Sequence, residues 1–276
     1  MNLPPTVWRL LLTPPAQGTW NMAVDEAILE FSRRVEQPTT LRLYAWTPPC
    51  LSLGYGQSYT DIDLDRLTSY GWDVVRRPTG GRAILHTDEL TYAVIGSQED
   101  PLLTGGVLES YQRLSNALLE ALKRMEITAD AVAKNVAITE NMMDNPVCFE
   151  VPSNYEITFK GKKLIGSAQA RRKNTVLQHG SLPLSGDLTR IVQVLRYPND
   201  SSRTEAAERL LSHATTVESV LGFRGDWWIA SQAMISAFSS ILGLKLIPGG
   251  LTPSEGRRAL ELYEQKYNHP SWTEKS

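Results

Sequence analysis

V-C-F-E-V-P-S-N-Y-E-I-T-F-K-G-K-K-L-I-G-S-A-Q-A-R-R-K-N-T-V-L-Q-H-G-S-L, residues 147–182, decides the reading of this chain. Cys148 stands ahead of one strand. Gly161-Lys162 marks a turn, and Lys163 opens a second strand that runs into Gly166, Ser167 and Ala168. A third apolar segment, Thr175-Val176-Leu177, ends in Gln178-His179-Gly180-Ser181. A thiol, an amine and a set of small residues on consecutive strands make the inventory of an acyl-transfer site. A nearby ammonium favours the thiolate of a cysteine, and lysine also orients a carbonyl electrophile.

Outward from that stretch, the 276 residues are enough to bury a sizeable core and read as one domain spanning 1–276. A net charge of −2 argues against a dedicated nucleic-acid binder, which carries a basic stripe. Two cysteines, Cys50 and Cys148, make no disulfide framework and point to a reducing cytosol, with one bridge between them left open. Met1-Asn2-Leu3-Pro4-Pro5 does not read as a signal peptide, and no window approaches the roughly 18 apolar residues of a membrane span. The expectation is a cytoplasmic protein with neither nucleic acid nor membrane as partner.

Strands are predicted at Val7–Thr13, Leu41–Trp46, Leu51–Tyr55, Trp72–Val75, Ala83–Leu85 and Leu90–Ile95, with another around Val132–Ile138. Apolar residues spaced three and four apart predict helices over 22–31 and over Val107–Met125. Asp61 is the expected cap of a short helix that Gly71 stops. Beyond the central stretch the chain turns helical, at Asp187–Leu195, Thr204–Leu211 and Trp227–Leu242. A last helix over 252–267 starts on the capping box Thr252-Pro253-Ser254-Glu255. Trp272 is the expected anchor of an otherwise fraying tail. Adjacent strands with short turns, followed by helices, predict an α+β fold: a mixed, largely antiparallel sheet packed with helices.

The loop Arg76-Arg77-Pro78-Thr79-Gly80-Gly81-Arg82 follows a strand. Its glycines let the backbone approach a ligand, and its arginines suit a phosphate or carboxylate. It lacks the Gly-Lys-Ser/Thr ending of a P-loop. The four histidines, His86, His179, His213 and His269, show no metal-ligand spacing. His86 and His179 each end a strand beside small residues, where either hydrogen bonding or a site-lining role fits. No G-x-S-x-G elbow is present. Arg171-Arg172-Lys173 reads as a solvated face or as a dock for an acidic partner. Cys50 reads as packing.

Together, R-R-P-T-G-G-R-A-I-L-H-T-D-E-L-T-Y-A-V (76–94), the run from Cys148 to Gln169, and L-Q-H-G-S-L (177–182) resemble the biotin/lipoate protein ligase and lipoyl/octanoyl transferase superfamily. The resemblance covers roughly residues 7–245, and it implies that superfamily's catalytic-domain fold, of the class II aminoacyl-tRNA synthetase and biotin synthetase type. Within the superfamily, one octanoyltransferase branch places its nucleophilic cysteine just before a P-S-x-Y-E segment, where Cys148 stands. A second branch places it after the lysine strand, where this chain has no cysteine. ATP-dependent ligases share the glycine loop and the lysine, lack a cysteine at that place and commonly carry an accessory domain.

The resemblance therefore implies Cys148 and Lys163 as catalytic residues. It implies Arg76, Arg77, Thr79, Gly80, Gly81, His86, Gly166, Ser167, Ala168, His179 and Gly180 as the substrate-binding set. The implied donor is octanoyl-acyl carrier protein. The implied acceptor is a lysine of a lipoyl-domain protein such as glycine cleavage H protein, with no ATP, other cofactor or metal. The alternatives are an ATP-dependent lipoate ligase, an amidotransferase acting between lipoyl domains, and a non-catalytic protein that binds acyl carriers.

Overall fold

The computed structural model describes residues 6–33, 37–133 and 155–275. Eleven strands are found among them: β1 (Thr6–Leu12), β2 (Thr40–Tyr44), β3 (Cys50–Leu53), β4 (Asp73–Arg76), β5 (Ile84–His86), β6 (Glu89–Ser97), β7 (Asp130–Ala133), β8 (Tyr155–Phe159), β9 (Lys162–Arg172), β10 (Thr175–Pro183) and β11 (Leu244–Pro248). Eight of them form one sheet in the order β11-β1-β2-β6-β10-β9-β8-β7, and the other three form a small sheet, β4-β3-β5. β1 runs parallel to β11 and β2, β3 runs parallel to β4, and every other pairing is antiparallel. This is the mixed, largely antiparallel α+β architecture that the strand and turn pattern predicts.

Both faces of the large sheet are covered, and side-chain alternation sorts them. Trp8, Leu41, Leu43, Leu90, Tyr92, Val94, Val176 and Leu182 face the helices Val107–Arg124 and Trp227–Leu242 in the main core. Leu11, Tyr44, Ala93, Ile95 and Leu177 face the helices Gly18–Phe31 and Pro253–Leu262 in a second core. The expected capping box forms, with Thr252 and Glu255 bonded reciprocally. Glu255 also takes both arms of Arg9 at 2.7 Å, which ties this helix to β1. A third cluster packs the small sheet against the segment Arg190–Gln193 and the helix Asp200–His213.

Three local expectations are corrected. Asp63, not Asp61, caps the short helix Leu64–Ser69, because its carboxylate reaches the N–H of Arg66 at 3.1 Å. The helix expected over Asp187–Leu195 shrinks to Arg190–Gln193, its start taken up by turn bonds from Thr189 to Asp187. β11 is unpredicted; it pairs along β1 at the edge of the sheet, where its terminal proline is tolerated. Trp272 does anchor the tail: its indole donates to the carbonyl of Arg76 at 2.8 Å.

Candidate active site

The glycine loop is folded by backbone meeting backbone. A Cβ built on Gly54 would lie 1.8 Å from the carbonyl oxygen of Gly81, so only glycine fits there. Tyr55 donates its N–H to the carbonyl of Thr79 at 2.8 Å, and Gly81 takes a φ of 93°. Gly80 faces open space.

The two arginines ahead of the loop do not project from it, against the expectation that they meet an anion. Arg76 is fully buried and donates to the carbonyls of Gly54, Tyr55 and Gln57 on one side and of Trp272, Thr273 and Lys275 on the other. It is a strut between the turn at 54–57 and the C-terminal tail. Arg77 donates to the carbonyls of Ser52, Gly80 and Arg82 and so holds the loop closed. Arg171 likewise binds the carbonyls of Leu103, Gly105 and Gly106.

Thr79 joins the loop to β10: its hydroxyl lies 2.6 Å from Nε2 of the buried His179. On the other side of the ring, Nδ1 lies 3.9 Å from Asp25 on the helix Gly18–Phe31, an electrostatic contact beyond hydrogen-bond range. Asp25 is wholly buried. It takes Arg42 at 2.6 Å and the hydroxyl of Tyr44 at 2.9 Å. Burial alone would raise the Asp25 pKa. The Arg42 guanidinium leads the contributions that outweigh it and hold the carboxyl below the ordinary range. Burial pushes His179 down against the pull of Asp25, so the ring is held neutral.

His86 is built the same way from different strands. Nε2 meets Ser52 at 2.7 Å, Nδ1 meets Glu89 at 2.7 Å, and the indole of Trp46 stacks on the ring at 3.9 Å. Arg77 also donates to Ser52 Oγ, which ties this histidine to the glycine loop. Burial raises the Glu89 pKa, but His86 with Ser181 and Thr91 overcomes it and lowers the net value. Asp25, Arg42, Glu89 and Glu156 are site residues that the sequence reading does not pick out.

These shifts set a pH dependence. A buried neutral His179, depressed below the unfolded value of about 6.5, adds stability that is lost as pH falls through and below that value. Asp25 and Glu89 lie below the unfolded carboxylate range, so their contribution is complete above about pH 4 and lost beneath it. Urea unfolding across pH 8 to 3 is expected to show a shallow loss of stability beginning near 6.5 and a steep one below about 4. A flat profile between pH 8 and 4 would contradict the His179 assignment.

Lys163 sits at a β-bulge. Ile157 pairs with Ile165, while Thr158 pairs with Lys163, which leaves Leu164 as the extra residue. Without the bulge, Lys163 and Ile165 would share a face. With it, Leu164 and Ile165 both enter the main core, and the Lys163 ammonium lies 3.1 Å from Glu156, both nearly buried. Cys148 lies outside the described residues. On β9, Gly166 pairs with Ser181 and Ala168 with His179, which puts these two small residues beside the histidine and glutamate networks. Ser167 pairs with Gly180, and its hydroxyl meets Tyr92 at 2.7 Å, toward the main core. A Cβ on Gly180 would lie 2.5 Å from the Tyr92 ring.

Two hollows meet at Glu89. A narrow cleft is lined by Ile84, Leu85, Leu188, Ile191 and Leu210, with the carboxylates of Asp88, Glu89 and Asp187 also on it. A wider one of about 510 Å³ is bounded by Trp46, Glu89, Leu184, Arg224 and Trp227. Asp88 bridges their rims, bound by Arg190 at 2.7 Å and Arg224 at 3.3 Å. No helix among the described residues is long and apolar enough to cross a membrane.

Residues 17–239 match the family model described as the lipoyl protein ligase A/B catalytic domain. Among curated relatives, proteins named octanoyltransferase LipM are 40% identical in Moorella thermoacetica, over 98% of both chains, and 40% identical in Symbiobacterium thermophilum, over 97% of this chain and 98% of the relative. Among solved structures, the bipartite lipoate protein ligase system of Thermoplasma acidophilum aligns with a TM-score of 0.81 at 24% identity, covering 98% of this chain and 96% of that one. A lipoate-protein ligase A bound with ATP aligns with a TM-score of 0.79 at 24% identity, covering 97% and 98%. These structures share the fold. By the span of the family match and the identity of those relatives, this chain belongs to the lipoyl protein ligase A/B catalytic domain family.

Proposed function

We infer that the chain is an octanoyltransferase of lipoate biosynthesis, acting in the cytoplasm without ATP. The Cys148 thiolate attacks the carbonyl carbon of octanoyl-acyl carrier protein. The bond to the carrier sulfur breaks and an octanoyl thioester forms on Cys148. The ε-amine of a lysine on a lipoyl domain then attacks. An amide forms, and the cysteine sulfur leaves with the proton that the amine gives up. Glycine cleavage H protein is the acceptor we name first, with E2 subunits of oxoacid dehydrogenases as the other acceptor class.

Several of the described site residues take a part in this scheme. Lys163 donates to the acyl carbonyl oxygen and stabilises the charge that gathers there in the tetrahedral intermediate. Ile84 and Leu85 line the narrow cleft beside Glu89 and are the apolar residues we assign to the alkyl chain. Thr79, Gly80 and Gly81, fixed by Gly54 and Arg77, form the wall that the histidines brace. Arg76 and Arg77 serve binding indirectly, through that wall.

What carries the reading is the placement of Cys148 ahead of P-S-N-Y-E in a chain that aligns over almost its whole length with proteins named octanoyltransferases. The test is to incubate the protein with octanoyl-acyl carrier protein, weigh it intact and map the adduct. A hydroxylamine-labile octanoyl group on Cys148, passed on to a lipoyl domain without ATP, is the expected result. Modification of the acceptor only with free octanoate or lipoate and ATP would instead make this chain a ligase.

A further inference from the structure

Glu156 has no place in the scheme above, yet its position is specific. It lies on β8, is 5% exposed, and brings Oε1 within 3.1 Å of the Lys163 ammonium. The contact depends on the bulge opposite Thr158, which turns Lys163 out of the register that would share a face with Ile165. The backbone of Lys163 is fixed from another side, since its carbonyl accepts the N–H of Thr215 at 3.0 Å. Strand, bulge and carboxylate together hold one long, flexible side chain at one place.

We propose that Glu156 is a positioning residue that holds Lys163 as an ammonium directed at the acyl carbonyl oxygen, and thereby prevents the lysine from taking the octanoyl group itself. This rests on the acyl-transfer reading above. An ammonium donates hydrogen bonds and has no lone pair, so it polarises a carbonyl and cannot attack one. A neutral amine beside an acyl thioester does the opposite. Its nitrogen bonds to the carbonyl carbon, the carbon–sulfur bond breaks, and the thiolate leaves with the amine's proton. The lysine ends as an octanoyl amide and the enzyme as a dead product. Nearly complete burial of both groups keeps their attraction weakly screened.

Glu156→Gln keeps the shape and removes the charge. In wild type, octanoyl is expected only as a hydroxylamine-labile thioester. In the variant, a hydroxylamine-stable octanoyl group is expected on Lys163, located by peptide mass. Turnover in transfer falls about 10²-fold, the scale of a misplaced catalytic group, with KM within about twofold. Glu156→Asp retains the carboxylate and recovers most of the loss, which a purely structural role would not predict.

A folded Glu156→Gln protein that transfers at the wild-type rate and carries no Lys163 amide overturns the proposal. A second measurement needs no octanoyl donor. Competitive labelling with acetic anhydride is expected to modify Lys163 several-fold faster in Glu156→Gln than in wild type, and equal rates overturn the pairing. If wild type itself takes no octanoyl, the acyl-transfer reading fails and the labelling still reads the pairing on its own.

Discussion

Cys148→Ser is expected to lose the octanoyl adduct and to slow transfer by about 10³-fold or more, whereas Cys50→Ser keeps both within about twofold. The contrast follows from the two thiols' settings. Cys50 is wholly buried on β3, paired across the small sheet with His86. A Cβ on Gly18 would lie 2.3 Å from its sulfur, so Gly18 is the space into which that thiol packs. Burial pushes the Cys50 thiol well above its ordinary range, with Asp73 and Glu89 adding to the shift. A protonated, enclosed thiol is a poor nucleophile. Cys50→Ser is expected to act on stability instead, at about 1–3 kcal/mol for a hydroxyl placed in an apolar site. Intact mass after incubation with octanoyl carrier protein reads the first effect, and urea unfolding reads the second. An adduct that persists in Cys148→Ser and vanishes in Cys50→Ser would reverse the assignment of nucleophile.

How much of this was legible in the sequence depends on what each residue had to announce. The turn at Gly80-Gly81 and the strand from Lys163 to Ala168 were legible as backbone because glycine and short turns leave little choice, although the bulge at Leu164 was not. The long helices were legible because one apolar stripe repeats. The networks behind the histidines were not. In Leu41-Arg42-Leu43, alternation puts Arg42 on the face opposite the main core, and a charged residue there reads as solvated. The second layer of helices covers that face, and Asp25, four residues into one of those helices from Asn21, meets Arg42 in the interior. The same holds for Glu156, which alternates against Ile157 and would pass for a surface residue on β8. Arg76 and Arg77 misled in the other direction: beside a Gly-Gly pair, arginine suggests an anion, yet Arg77 turns back onto the carbonyls of Gly80 and Arg82, and Arg76 onto carbonyls of the Gly54 turn and the C-terminal tail. β11 was hidden because Leu244–Pro248 is short, and its strand partner β1 lies more than 200 residues earlier.

Lys163→Met tests catalysis and stability in one variant. Transfer is expected to fall by about 10²–10³-fold, the range for removing one donor to a developing oxyanion. The same change leaves the Glu156 carboxylate buried beside a thioether, and breaking one side of a buried pair costs about 3–5 kcal/mol. Those two losses separate in the double variant. Replacing Glu156 by Gln as well removes that buried charge, and a buried ion pair exchanged for neutral groups of similar volume is close to neutral in stability. Lys163→Met with Glu156→Gln is therefore expected to regain most of the unfolding free energy while transfer stays at the level of Lys163→Met alone. Urea unfolding of the four proteins closes the cycle, and a coupling energy of several kcal/mol is the expected result. If the double variant remains as unstable as Lys163→Met, the ion pair is not what Lys163 contributes to the fold. If Lys163→Met transfers octanoyl at the wild-type rate, the charge that stabilises the tetrahedral oxygen comes from elsewhere in the site.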